Sequence, residues 1–136
     1  MTKKNETYIA NTNGVEITVR PEYIDSQINL VGVFFVWVYY VRIHNQTSET
    51  LQLTDRYWKI IDEKGGTQEI NGEGVIGKKP ILVPGDDFEY NSGVHLRYRS
   101  GIMLGHYVMK KENGETFNVQ IPAFSLDIPG LKEAVN

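Results

Sequence analysis

Side chains that stiffen an extended backbone dominate this chain. Fifty of its 136 residues are Val, Ile, Thr, Tyr, Phe or Trp, and only three are alanine. β-branched and aromatic side chains fit a pleated, half-buried surface, whereas a helical chain leans on Ala and Leu. The expected class is therefore all-β. The length suits one domain, residues 1–136, with a core over about 14–130 and loose ends of about ten residues at the start and six at the close.

Turn signals break the chain at intervals of about 8–12 residues, the spacing of a sandwich or barrel. Val15, Ile17 and Val19 alternate with Glu16, Thr18 and Arg20 after Asn13-Gly14, and Pro21 marks an edge or a kink. Asp25 to Gly32 reads as a loop. A long strand follows over about Val33 to His44. Shorter strands are expected over 50–53, 56–61, 67–70, 81–83, 88–90 and 94–96, the last two split by a turn at Ser92-Gly93. Asn113-Gly114 between Met103–Lys111 and Glu115–Ile121 is the strongest hairpin signal. About seven or eight strands result.

Composition excludes several functions. No cysteine is present, so there is no disulfide, thiolate metal site or thiol nucleophile. A net charge of −3, with basic residues in scattered pairs (Lys3-Lys4, Lys78-Lys79, Arg97 and Arg99, Lys110-Lys111), gives no field for nucleic acid. The longest apolar run, Val33 to Val41, is nine residues, far short of the roughly 20 that a membrane-spanning helix needs. The first 13 residues hold no signal-peptide apolar stretch. A cytoplasmic protein without membrane or nucleic-acid partners is the expectation.

That apolar run is itself a feature. Phe35, Trp37, Tyr39, Val41 and Ile43 form one face and should meet the core. Phe34, Val36, Val38 and Tyr40 form the other, which no half-buried strand should leave in water. An intramolecular cover such as Tyr8-Ile9 is the first expectation. Self-association or a partner docked on this face is the alternative.

Gly72-Glu73-Gly74-Val75-Ile76-Gly77 spells G-x-G-x-x-G and, with Lys78, nearly a P-loop. Both motifs place backbone N–H groups and a helix N-terminus against phosphate. Pro80 leaves no room for a helix after Gly77, Lys79 stands where a magnesium-binding hydroxyl belongs, and Glu73 puts negative charge in the cradle. The glycines are expected to serve a turn with positive φ angles, with weak anion capture beside Lys78 and Lys79 as a secondary possibility. His44, His95 and His106 have no metal-site spacing, and no serine sits in a nucleophile elbow. No cofactor, preformed metal site or catalytic residue is expected.

Arg56-x-Trp58, Gln68-Glu69-x-x-Gly72-Glu73-Gly74-Val75-x-Gly77, Pro80 to Leu82, Pro84-Gly85, Phe88-x-Tyr90-x-Ser92-Gly93, Ser100-Gly101-x-Met103-x-Gly105 and Ile121 to Asp127 together resemble the ApaG family, also called CorD. The similarity runs from about Gly14 to Gly130. It implies a fibronectin type III-like or immunoglobulin-like antiparallel sandwich of about seven strands. It also implies a non-catalytic binding module linked to cobalt and magnesium tolerance, with a glycine motif supposed to take pyrophosphate. The candidate binding residues are Arg56, Gly72, Gly74, Gly77, Lys78 and Lys79, and the expected partner is a protein. Direct binding of a divalent metal or of a nucleotide polyphosphate is the alternative. The apolar stretch Val33 to Tyr40 departs from the family pattern.

Overall fold

A computed structural model describes residues 6–130. They form nine strands: β1 (Tyr8–Thr12), β2 (Val15–Asn29), β3 (Gly32–Asn45), β4 (Leu51–Asp62), β5 (Thr67–Glu73), β6 (Ile81–Leu82), β7 (Asp87–Leu96), β8 (Ser100–Lys111) and β9 (Thr116–Asp127). One sheet runs β1-β2-β3-β7. The other runs β5-β4-β8-β9, with the short β6 paired to β4. Every pairing is antiparallel. Without β1 and β6, three strands face four, the fibronectin type III arrangement that the family resemblance implies.

The core lies between the sheets and is built by the period of two. Val15, Ile17 and Val19 of β2 and Trp37, Tyr39, Val41 and Ile43 of β3 point inward from one side. Trp58 and Ile60 of β4, Tyr107 and Met109 of β8, and Ile121, Phe124 and Leu126 of β9 meet them. Trp58 sits edge-on to Tyr39, Tyr107 and Phe124, with ring centroids 5.3, 6.4 and 5.9 Å away, a packing that adds to area burial. Where β3 leaves for β4, buried Asn45 donates to the carbonyls of Glu49 and Leu82 and accepts from the Thr47 amide and hydroxyl. Its polar atoms are thereby satisfied.

Several boundaries differ from the sequence reading. The expected loose start contains β1, which turns through Asn13-Gly14 (φ 50° and 90°) and pairs with β2. What is expected of residues 1–5 and 131–136, Lys3-Lys4 included, lies outside the described residues. β4 is one strand, because a bulge between Leu53 and Asp55 absorbs the break in alternation. Ser92-Gly93 is not a turn but the middle of β7, paired to Tyr39 and Val38. The expected loop over Asp25 to Gly32 is strand except for the Leu30-Val31 turn, Asp25 to Asn29 lying in β2 and Gly32 to Phe34 in β3. They extend the β2–β3 hairpin beyond the reach of β7, and Asn29 Oδ1 caps the turn by accepting from the amides of Val31 and Gly32. Pro21 lies past the last β1 pair, Tyr8 opposite Val19, where β2 has become an edge on that side.

The expected cover by Tyr8-Ile9 is also corrected. Tyr8 points inward, its ring 6.1 Å from Phe124 and its hydroxyl accepting from the Ser125 amide. Ile9 is 62% exposed on the outer face. Register forces this split, since neighbours in a strand face opposite ways. Among the described residues no segment crosses the outer face of β3. Arginines on flanking elements shield it instead: Arg20 lies 4.3 Å from the Tyr40 ring centroid and Arg97 lies 5.2 Å from that of Phe34.

Candidate functional site

The six candidate residues converge on one turn at the β5 edge. Gly72 is opposite Arg56 in the β4–β5 ladder. The bulge before Asp55 turns Arg56 inward, and its guanidinium lies flat against the Gly72 backbone. A Cβ on Gly72 would come within 2.7 Å of Arg56 Nη1. From there Nη1 donates to the carbonyls of Glu73 (3.0 Å) and Gly74 (2.9 Å). Arg56 thus braces the chain as it leaves β5. Hydrogen bonds from a charged donor are the strong ones.

The next residues form a two-residue hairpin turn. Val75 and Lys78 exchange backbone hydrogen bonds of 2.8 and 2.9 Å, and the central pair, Ile76 and Gly77, has φ of 44° and 75°. Positive φ at both central positions is the signature of a type I′ turn. Gly74, at φ 63°, donates to the Thr54 carbonyl at 2.8 Å, and a Cβ there would run into the Lys78 carbonyl. Val75 is fully buried and anchors the turn, whereas Ile76 is 54% exposed at its tip. Each glycine of G-x-G-x-x-G therefore answers a local steric demand. The amides of Gly74, Val75 and Lys78 are committed to backbone acceptors. After Gly77 the chain enters β6, and no helix begins there. Lys79 reaches Glu73 Oε2 at 3.4 Å. Lys78 is exposed and has no ion pair among the described residues.

Behind Arg56 lies a group of phenols that the sequence reading did not single out. The hydroxyls of Tyr90 (β7) and Tyr107 (β8) are 2.5 Å apart, a bond tying one sheet to the other. Burial raises the pKa of both phenols, and that of Tyr39 beside them; Ser92 and the Arg56 charge oppose the rise at Tyr39. All three shifts lead away from neutrality, so these hydroxyls act as hydrogen-bonding groups rather than as proton carriers. Tyr90 and Tyr107 meet because the consecutive strands β7 and β8 lie in opposite sheets and face each other across the core, and no local spacing announces it.

The three histidines sit apart. His44 Nε2 is 3.9 Å from Asp87, His95 stands edge-on to Phe34 at 5.4 Å, and His106 stacks on Tyr57 at 5.1 Å. Among the described residues no three His, Asp or Glu side chains are grouped to hold a metal ion. No helix is long and apolar enough to cross a membrane, again among the described residues.

Sandwich, glycine turn and arginine brace define a class of small antiparallel β-sandwich proteins. Comparison with known proteins gives that class its family. The ApaG domain family matches residues 29–111. Protein ApaG of Brucella abortus is 48% identical over 129 residues, covering 95% of this chain and 99% of its own length. That of Sinorhizobium fredii is 49% identical over the same shares. Among solved structures, a structural-genomics X-ray structure has a TM-score of 0.84 at 37% identity, covering 88% of this chain and 90% of its own. The ApaA protein of Bordetella pertussis has a TM-score of 0.78 at 38% identity, covering 85% and 94%. The chain belongs to the ApaG family.

Proposed function

We propose that this chain is a non-catalytic binding module of the cytoplasm that recognises a protein partner through the turn Val75–Lys79. One observation carries this reading. Ile76 is β-branched, exposed and in left-handed backbone space, a combination that costs about 1–2 kcal/mol and persists where the surroundings over-determine it. A residue selected for folding alone would be Asn or Gly. Instead an apolar knob stands at the tip of a braced turn, beside the exposed Lys78 and Lys79. The chemistry fits an apolar pocket with an acidic rim. In this reading, a role in cobalt and magnesium homeostasis runs through the partner and not through coordination by His44, His95 or His106. Engagement of the Gly74, Val75 and Lys78 amides within the fold weighs against a pyrophosphate cradle at the same turn.

Ile76→Asn tests the proposal, because it places an Asn-Gly pair in the turn. The variant is expected to gain about 1 kcal/mol of stability, since Asn tolerates positive φ, and to lose partner capture. Cross-linked capture from native cell extract, with Lys78→Glu as a second variant, reads the loss. Equal recovery of the same proteins by wild type and both variants would reject the turn as the recognition surface.

A further inference from the structure

The outer face of the β1-β2-β3-β7 sheet carries a pattern that is complementary to itself. Along β3 from the hairpin arm to the base run Phe34, Val36, Val38, Tyr40 and Arg42, all but Tyr40 half-buried. Opposite them on β7, in the same direction, are His95 beside Val36, Gly93 beside Val38, Asn91 beside Tyr40 and Glu89 beside Arg42. Arg97, just past the end of β7, lies over Phe34. On β2, Asp25 is opposite Val36, Glu22 opposite Val38 and Arg20 opposite Tyr40.

We propose that two copies of this chain pack these faces together about a two-fold axis that crosses the strands at Val38. The occupant follows from where the charges sit. Such an axis reverses the strand direction, so Arg97 of one copy falls over Glu89 of the other and Asp25 over Arg20. The Phe34 ring falls over Arg42, an arrangement favourable for a cation on an aromatic face. Val36 meets Tyr40, and Val38 meets its own counterpart. An axis parallel to the strands would instead set Arg42 against Arg42. Glu22 comes near its copy at the axis, and there Arg20 of its own chain, 3.4 Å away, offsets the charge. The base of the face holds a depression of about 420 Å³ lined by Thr18, Arg20, Tyr40, Arg42, Glu89 and Asn91. The same operation carries Phe34 and Arg97 of the second copy to that depression.

Gly93 supplies an independent observation. It lies in mid-strand at the axis, its φ is not in the left-handed region, and a Cβ built there meets nothing closer than 3.8 Å. Nothing among the described residues requires glycine at a position where glycine weakens a strand. Close approach of a second sheet does require it. The size is that of a weak interface. The stripe from Phe34 to Arg42 is eight steps of about 3.4 Å, and the three strands that carry it, β2, β3 and β7, span about 14 Å. That is on the order of 400 Å² per copy and 800 Å² in total, within the range of transient contacts. The dimer should be readily reversible, with a dissociation constant above the micromolar range.

Sedimentation equilibrium of the full chain across micromolar to millimolar concentrations tests the proposal. Wild type is expected to pass from monomer to dimer. Arg97→Glu and Glu89→Arg should each weaken the homodimer at least about tenfold by opposing like charges, and an equimolar mixture of the two should recover wild-type affinity, because the heterodimer restores both ion pairs. Gly93→Val should also abolish the dimer while keeping the fold, checked by circular dichroism. A wild type that stays monomeric throughout, or a mixture no tighter than the single variants, overturns the proposal.

Discussion

The glycine turn and the outer face of β3 both stand out in the sequence, and they reach opposite physical conditions. At the turn every glycine of the motif is answered from within. Gly72 makes room for Arg56, Gly74 for the Lys78 carbonyl, and Gly77 takes a positive φ. On the outer face the conspicuous residues are unanswered. Phe34, Val36 and Val38 are shielded only in part, and Gly93 has no steric reason among the described residues. A glycine says little until one asks what a Cβ there would touch. A motif spelled in glycines can be wholly structural, while a solitary strand glycine can point outward to another molecule.

The comparison breaks most sharply at Gly74. Gly74→Ala forces a Cβ toward the Lys78 carbonyl at φ 63°, adding overpacking to left-handed strain. A loss of about 3 kcal/mol is expected, seen as a fall of about 10 °C in Tm. If Tm moves by less than a couple of degrees, the turn is looser than its hydrogen bonds indicate. Alkaline pH attacks the phenols behind the turn. The folded pKa values of Tyr90 and Tyr107 are raised above the ordinary 10.0, so the folded state holds these protons after the unfolded chain has lost them. Their contribution is fully present below pH 10 and is lost as pH rises through the folded values. Stability should fall by about 1.4 kcal/mol per pH unit for each such phenol. Urea titrations at pH 9, 10 and 11 would show it, and Tyr90→Phe with Tyr107→Phe should flatten the slope. Arg56→Met comes next. Removing both carbonyl contacts should cost about 2 kcal/mol and should speed amide exchange at Gly74, Val75 and Lys78 ahead of the rest of the sheet.

Much of this architecture is legible in the residues. The scarcity of alanine gives the all-β class, Asn113-Gly114 gives the β8–β9 turn (Gly114 φ 92°), and Pro80 announces that no helix starts after Gly77. All six candidate residues meet at one turn. What is not legible follows from long-range pairing. The stretch Asp25 to Gly32 looks like a loop because it stands beyond the core, where burial imposes no alternation, yet all of it but Leu30 and Val31 pairs in the β2–β3 ladder. β4 looks like two strands because a bulge shifts the period. The Tyr90–Tyr107 bond spans strands that local spacing cannot connect, and the exposed Ile76 is invisible until its φ is known.

The smallest expected effect sharpens the comparison from the other side. Gly93→Ala should change the monomer in the direction opposite to Gly74→Ala. The backbone at Gly93 is extended and the nearest atom to a new Cβ is the Trp37 carbonyl oxygen at 3.8 Å, an ordinary contact. Replacing a strand glycine reduces the freedom of the unfolded chain, so a gain of about 0.5 kcal/mol is expected. It should be measured below the micromolar range, where a dimer does not contribute. Thermal unfolding of both alanine variants under one condition gives the contrast directly. If Gly93→Ala also destabilises the monomer, that glycine has an internal role, and the distinction between an answered and an unanswered glycine fails.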